Sequence, residues 1–240
     1  KLAAKPSMFN ASKFRLGGFD PGLDVTDCVS TGREGRESKL LLRLGLTDYK
    51  MHNCTNMQEL DRVFWLHTMG ENIKGDPVGF MAQTLSVVVL LETTDDEIVL
   101  LRKAQHTSEG PTTAVDAPHG YAEPSACNCE PDCLAPGAKN QRPLPSSEVL
   151  VSEIFSAALR EVREELGVPN DRLTEPQLIG IVQDYTIGGR YSLAFAVRTT
   201  MSSGEVKRSH ASADTHTEAH TAPGALLFFP RRDLLAGGLE

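Results

Sequence analysis

The chain has 240 residues and a formal net charge of −8, and 23% of its residues are charged. This length allows one large domain or two small ones, and the acidic balance argues against a protein that binds nucleic acid through basic stripes. No apolar run approaches the roughly 18 residues of a membrane span, so we expect no membrane partner. A phosphate ligand remains compatible with this charge when a divalent cation screens the acidic groups.

The cysteines indicate the compartment. There are five, an odd number without regular spacing, which favours a reducing environment over a disulfide framework. The first residues lack the apolar core of a signal peptide, so we expect an intracellular location, cytoplasmic or nuclear. Cys127, Cys129 and Cys133 are spaced as C-x-C-x₃-C, which does not match the ligand pairs of a zinc site, and we interpret them as part of a loop. The sequence carries no signal for an oligomeric state.

The N-terminal third is predicted to hold few regular elements. Residues 1–38 are rich in glycine and mixed in charge, which indicates loop with one short strand around "KFRLGGF". Residues 39–46, "KLLLRLGL", predict a strand. The spacing of Leu60, Val63 and Phe64 then predicts a helix within "NMQELDRVFWLHTMG".

The rest of the chain alternates strands with helices. "QTLSVVVLLE" and "EIVLLRK" flank the turn "TTDD" and predict a hairpin, and "TAVDAP" predicts a short strand. An insertion rich in proline and cysteine covers about 124–146, and a long helix covers about 147–166. A second hairpin is predicted across "TIGG", followed by a short helix at "SGEVKRSH", a strand at "ALLFFP" and a helix start at "RRDLLAG". This order predicts a mixed sheet with helices packed on it, an α+β or α/β/α fold.

The long helix has a clear apolar stripe and a clear end. Phe155, Leu159, Val162 and Leu166 step by four, three and four residues, so they are expected to face the sheet. Gly167 and the proline two residues later are a typical helix stop.

Three carboxylates, Glu161, Glu164 and Glu165, crowd onto an arc of about 100° away from that stripe. One interpretation is a solvated face, on which Arg160 and Glu164 form a pair one turn apart. Against it, Glu161 and Glu165 repel each other and lie near the helix C-terminus, the unfavourable end for anions. The alternative is a site for a hard cation, Mg²⁺ or Mn²⁺.

The stretch "REVREELGV" resembles the second half of the Nudix signature, which reads Arg-Glu, aliphatic, any residue, Glu-Glu, any residue, Gly, aliphatic. Upstream, "DAPHGYAEP" is similar to the glycine loop that opens this signature, with Gly120 as its key residue. About two dozen residues separate this loop from the helix. Ser152 stands where the family has a further glutamate, and Glu153 lies next to it.

This split signature, with the blocks "SKFRLGGF", "LLLRLGLTDYK", "GDPVGF" and "EAHTAPGALLFF", resembles an animal branch of the Nudix family that hydrolyses UDP-glucose and UDP-galactose. The resemblance implies the Nudix fold, an α/β/α sandwich with a mixed sheet, and a strand-containing N-terminal region. We therefore expect a substrate-recognition region over 1–80 and a Nudix hydrolase domain over 81–240 that contains the insertion at 124–146.

The same resemblance implies a reaction. Mg²⁺, with Mn²⁺ as an alternative, is expected to bind Glu161, Glu164 and Glu165 and to support hydrolysis of UDP-sugars to UMP and sugar 1-phosphate. Arg160 is expected to orient a glutamate. The general base is either Glu164 or Glu218, since related enzymes draw a catalytic acid from a late loop.

Candidate substrate contacts come from three parts of the chain. Aromatic and basic residues of the N-terminal blocks are candidates for uracil stacking, with core packing as the alternative for the phenylalanine. Two arginines at strand ends are candidates for phosphate contacts, with a plain surface charge as the alternative. Together with the loop glycine, the candidates are Phe14, Arg15, Tyr49, Arg102, Gly120 and Arg190.

Two other functions stay open on the sequence. One is a Nudix pyrophosphatase for ADP-ribose, a dinucleotide or coenzyme A, against which the N-terminal blocks argue. The other is a nucleotide-binding Nudix module without activity, which Ser152 favours. The three retained glutamates disfavour this module, because an inactive site has no physical reason to keep repelling carboxylates together.

Overall fold

A computed structural model describes residues 10–17, 23–29, 38–103, 115–129, 145–185, 188–212 and 221–235. Its strands are β1 Ser12–Leu16, β2 Leu23–Val29, β3 Ser38–Asp48, β4 Leu85–Glu92, β5 Glu97–Lys103, β6 Val115–Asp116, β7 His119–Gly120, β8 Gln177–Asp184, β9 Arg190–Arg198 and β10 Thr221–Pro230. Its helices are α1 Tyr49–Thr55, α2 Leu60–Lys74, α3 Ser147–Leu166, α4 Ser203–Ser212 and α5 Arg231–Leu235, with short 3₁₀ turns at Pro124–Cys127 and Asn170–Arg172.

A small antiparallel sheet is formed by the N-terminal strands in the order β1-β3-β2. Phe14 of β1 and Leu42 and Leu44 of β3 are buried and supply its core. Leu42 and Leu44 are two residues apart and therefore lie on the same face of β3. Helix α1 starts directly after β3 because the Asp48 side chain accepts the Met51 N–H over 2.7 Å, which caps its first turn.

Two elements of this region correct the sequence prediction. Strand β2 lies where a loop was predicted, and helix α1 was not predicted. All seven residues of β2 pair with β3, from Leu23 opposite Leu44 to Val29 opposite Ser38. The strand therefore depends on its pairing partner and not on an alternating pattern of its own, which Asp27 interrupts.

Helix α2 confirms the helix that was predicted there. It ends at Gly75, which adopts a left-handed conformation with φ of 65° and closes the last turn through its N–H to the Glu71 carbonyl. Leu60 and Phe64 remain 84% and 75% exposed, so their helical spacing marks the helix but not a buried face.

A seven-stranded sheet carries the rest of the fold. Its order is β10-β5-β4-β9-β8, with β6 paired to β5 and β7 to β4. Both predicted hairpins are confirmed, because β4 pairs antiparallel with β5 and β8 is the neighbour of β9. The backbone N–H of Tyr191 donates to the Thr84 carbonyl, and the backbone N–H of Thr199 donates to the Glu92 carbonyl. These bonds advance in the same direction along both chains, so β4 and β9 are parallel and the sheet is mixed, as predicted.

The chain divides into two compact units. The first consists of Lys1–Ser86, Tyr121–Ile154 and Val182–Ser192, and the second of Val87–Gly120, Phe155–Ile181 and Leu193–Glu240. The first contains the small sheet with α1 and α2, and the second contains β5, β6, β7, β10, α4 and α5. The predicted division at residue 80 stays a prediction. Among the described helices, none combines the length and apolar character needed to cross a membrane.

Candidate active site

The C-terminal half of α3 presents its glutamates from a fixed helix. Val162 and Leu166 are fully buried, and the Phe155 ring meets Phe195 of β9 edge-on, with centroids 5.1 Å apart. The predicted apolar stripe is therefore confirmed. Gly167, at φ of 70°, ends the helix where predicted.

Strand β7 lies directly against two of these glutamates. The His119 N–H donates to Oε2 of Glu165 over 3.1 Å. A β-carbon on Gly120 would overlap the carboxylate of Glu161. Glu161 and Glu165 are both half-buried. Gly120, which leaves space for the Glu161 carboxylate, and the His119 N–H, which binds the Glu165 carboxylate, thus hold two like charges one helical turn apart.

Asp116 and His119 form a pair beside this contact. The His119 Nδ1 lies 3.6 Å from Oδ2 of Asp116, and Oδ1 of the same carboxylate accepts the Ala117 N–H over 2.9 Å. Neither residue was among the site residues predicted from the sequence. The one signal that could have indicated His119 is its position next to Gly120, since a backbone donor has no sequence signature.

Glu164 forms an ion pair with a neighbouring arginine of the same helix. Its Oε1 forms an ion pair with Nη2 of Arg163 at 2.9 Å, and both side chains are exposed. Arg163 therefore takes the place that the solvated-face interpretation gave to Arg160 as the ion-pair partner of Glu164, and Arg160 is half-buried. Within the described ranges, no group of three histidine, cysteine, aspartate or glutamate side chains is arranged to hold a metal.

Glu153 has a structural role in the split signature. Its Oε1 accepts the Glu123 N–H over 2.9 Å, which ties the segment after Gly120 to the N-terminal half of α3. Ser152, at the position where the family has a glutamate, is exposed.

The two N-terminal candidates of β1 are buried. Phe14 and Arg15 are each 1% exposed, so the phenylalanine has no ring surface to offer a base and packs in the core. The Nη2 of Arg15 donates to the carbonyls of Val78 and Met81, each over 3.2 Å. Burial lowers the pKa of Arg15 to about 10, and the charge of Asp76 opposes this shift. Arg15 thus joins β1 to the segment before β4, and substrate contact is not its observed role.

The other candidates are spread over the fold. Tyr49 begins α1 and is half-buried, and Arg102 of β5 is exposed. Arg190 is buried and its Nη1 donates to the Tyr121 hydroxyl over 3.2 Å. Glu218 lies outside the described residues.

The cysteines of the insertion are partly described. Cys127 and Cys129 are buried with free thiols, and Cys133 lies outside the described residues. The Cys127 thiol donates to the Val149 carbonyl over 3.8 Å. Burial, and then the charge of Glu153, raise the pKa of Cys127 to about 11, which keeps the thiol protonated and makes it a poor metal ligand.

The carboxylates fit a hard divalent cation. Mg²⁺ is usually bound by one or two protein carboxylates together with water and phosphate oxygens. Glu161 and Glu165 supply two half-buried carboxylates held against one strand, so the pair matches this donor set without Glu164.

No family model matches the chain. Individual proteins are similar to it in sequence. The uridine diphosphate glucose pyrophosphatase NUDT22 of Homo sapiens is 34% identical over 229 residues, which are 95% of this chain and 68% of that protein. The protein of the same name from Bos taurus is 36% identical, over 94% of this chain and 71% of its own length. A mutT/nudix family protein from Listeria innocua superimposes with a TM-score of 0.36 at 17% identity, over 63% of this chain and 81% of its own. On the two sequence relatives, the chain belongs to the family of the NUDT22 proteins within the Nudix hydrolases.

Proposed function

We propose that this Nudix hydrolase cleaves the diphosphate of UDP-glucose and UDP-galactose and releases UMP and sugar 1-phosphate. The observation that supports the proposal is the half-buried pair Glu161 and Glu165, held against β7 within the stretch that resembles the Nudix signature. The substrate class comes from the two relatives that are named uridine diphosphate glucose pyrophosphatases and align with nearly the whole chain.

The cofactor is part of this proposal. Nudix hydrolases generally use divalent metals. We assign Mg²⁺, with Mn²⁺ as the alternative, to Glu161 and Glu165, because both are oxygen donors and the proposed substrate supplies further phosphate oxygens. A divalent ion bound there would neutralise phosphate charge and make water more acidic. Glu164 remains a candidate third ligand that must first leave Arg163.

Residues of β7 position the two glutamates. The His119 N–H fixes one oxygen of Glu165, and Gly120 leaves the space that the Glu161 carboxylate occupies. Arg160 is proposed to orient a glutamate. In the reaction, a water oxygen forms a bond to one phosphorus, and the bond from that phosphorus to the bridging oxygen breaks. The water proton passes to a base, for which Glu164 and Glu218 are the candidates.

Cys54, Cys127 and Cys129 carry free thiols. Free thiols persist in reducing compartments. We therefore include an intracellular location, cytoplasmic or nuclear, in the proposal.

The test is release of UMP from UDP-glucose and UDP-galactose with and without Mg²⁺. We expect turnover that requires the ion and that falls at least about 100-fold in Glu165→Gln. The glutamine oxygen still accepts the His119 N–H, so the variant removes the charge and keeps the contact. Glu175→Gln, at an exposed glutamate beyond the helix, is the matched control. Absence of UDP-sugar turnover would overturn the proposal, and a panel of ADP-ribose, dinucleotides and coenzyme A would then separate another substrate from a binding module.

A further inference from the structure

Strand β8 forms one edge of the seven-stranded sheet. It stands last in the strand order, so among the described strands only β9 pairs with it. Ile179, Ile181 and Val182 are 55%, 41% and 51% exposed, and a β-carbon added to Gly180 would have no atom within 4 Å. The outer edge of β8 therefore offers backbone donors and acceptors that are flanked by exposed apolar side chains.

This edge lacks two features that usually keep exposed strands from pairing. Proteins protect such edges with charged residues and with proline. The stretch "QLIGIVQ", Gln177 to Gln183, contains neither, although the whole chain carries a net charge of −8. An uncharged and apolar strand edge is a template for pairing with another strand.

The sequence of β8 is nearly palindromic, which bears on the identity of the partner strand. Reading outward from Gly180, the flanking positions hold two isoleucines, then a leucine and a valine, then two glutamines. Antiparallel pairing of two copies about a two-fold axis at Gly180 would set Ile179 of one copy opposite Ile181 of the other. Each pair would join side chains of the same character. The series becomes informative only because the structure places β8 at an edge.

The charges beyond the palindrome are compatible with this pairing. With the axis at Gly180, Asp184 would lie opposite Pro176, and Glu175 would lie opposite Tyr185. Over this stretch no two like charges would face each other, although two acidic chains are brought together. A different protein would need a matching series of residues, whereas a second copy of this chain necessarily presents it.

We infer that two copies of this chain associate by antiparallel pairing of their β8 strands about a two-fold axis at Gly180. One strand edge buries less than the roughly 1,200 Å² of a standard interface, so we expect a weak dimer with a Kd of about 100 μM. Because each copy has one β8, this pairing closes at two copies.

The first experiment measures the mass of the full chain by sedimentation velocity at concentrations up to about 500 μM, above the expected Kd. Wild type should shift from monomer to dimer. Ile179→Lys/Ile181→Lys sets like charges opposite each other and should weaken association at least about 10-fold. Ile179→Lys/Ile181→Glu sets opposite charges against each other in both pairs only in this register, and it should restore association.

A mixing experiment tests pairing between copies directly. Ile179→Lys/Ile181→Lys and Ile179→Glu/Ile181→Glu should each be monomeric, while their equimolar mixture should form a heterodimer because the charges are complementary. Leu60→Lys/Phe64→Lys is the matched control, since these two apolar side chains are exposed on α2 and not on β8. The control should leave association unchanged, and circular dichroism checks the fold of each variant.

A cysteine cross-link tests the position of the axis. Residues directly opposite each other in an antiparallel pair have α-carbons about 4.5 or 5.5 Å apart, which a disulfide can span. Gly180→Cys in a Cys54→Ser background removes the exposed native thiol and should give a covalent dimer on mild oxidation. The same background with Gly180 retained should give none.

Each outcome decides. A wild-type chain that stays monomeric up to about 500 μM would overturn the inference, and so would a dimer that Leu60→Lys/Phe64→Lys disrupts and the β8 substitutions do not. A dimer that Ile179→Lys/Ile181→Lys disrupts and Ile179→Lys/Ile181→Glu does not restore would refute the axis at Gly180. Because no readout depends on turnover, a failure of the proposed UDP-sugar hydrolysis would not affect this result.

Discussion

The α-carbon of Gly120 lies so close to the carboxylate of Glu161 that a β-carbon there would overlap it. We expect Gly120→Ala to displace Glu161 and to lower kcat for UDP-glucose about 100-fold, because a shift near 1 Å at a catalytic group has that effect. Steady-state UMP release measures it. Circular dichroism should show a retained fold.

Gly180 provides the control for this substitution. It lies in β8 with no atom within 4 Å of an added β-carbon, so Gly180→Ala should keep wild-type activity. Equal activity of Gly120→Ala and Gly180→Ala would mean that Glu161 does not need its observed position.

Arg15 is expected to contribute to stability. Arg15→Met removes the donors to the Val78 and Met81 carbonyls and should lower the free energy of unfolding by about 2 kcal/mol, the cost of leaving such groups unsatisfied, partly offset by loss of a buried charge. Urea denaturation measures this. Arg163→Met, at an exposed arginine, is the control.

A kinetic measurement separates this role from the predicted substrate contact of Arg15. Arg15→Lys keeps the charge but loses the planar fork, so it should be less stable than wild type while its KM for UDP-glucose stays the same. A raised KM at unchanged stability would restore Arg15 as a substrate residue.

The helical spacing of apolar residues correctly predicted the helices α2 and α3. In α3, the apolar stripe through Val162 and Leu166 predicted the helix, and Gly167 predicted its end. Because an apolar stripe packs against a buried partner, the stripe also predicted that the glutamates lie on another face. In α2 the same spacing predicted the helix but not its surroundings, since Leu60 and Phe64 remain exposed. A pattern shows which side chains share a face, and not what covers that face.

The site depends on features without a pattern. The two-residue strand β7 is too short for any alternation, and its contact with Glu165 comes from the backbone N–H of His119. Lys13 and Arg190 are far apart in the chain, and both lie beside the ring of Tyr121. These relationships are tertiary contacts between residues that are distant in the sequence, and no local sequence pattern predicts them.

The cysteines are predicted to differ in reactivity. The pKa of Cys127, raised to about 11 by burial and then by Glu153, leaves about one thiolate in a thousand at pH 8. Iodoacetamide at that pH should therefore label the exposed Cys54 and spare Cys127 until the protein unfolds. Peptide mass spectrometry resolves the two sites. Labelling of Cys127 as fast as Cys54 in the native protein would contradict its burial.

Asp95 is expected to make stability depend on pH. The side chain of Ser203, at the start of α4, donates to Oδ2 over 2.6 Å, and the Ser203 N–H donates to Oδ1 over 2.9 Å. The Ser203 hydroxyl first, and then Thr93 and the Ser203 backbone, lower the pKa of Asp95 from 3.8 to about 2. Because the folded pKa is the lower one, the contribution is complete above pH 3.8 and disappears as pH falls toward 2.

Asp95→Ala measures this contribution. Near neutral pH the variant should be about 1 kcal/mol less stable than wild type, the usual cost of a lost cap at a helix start. The difference should shrink as pH falls from 4 to 2, because wild type then loses the same charged contact. Urea denaturation at each pH, with Asp171→Ala at an exposed aspartate to correct for general acid effects, gives the curve. A difference that stays constant from pH 7 to 2 would show that the Asp95 charge does not stabilise α4.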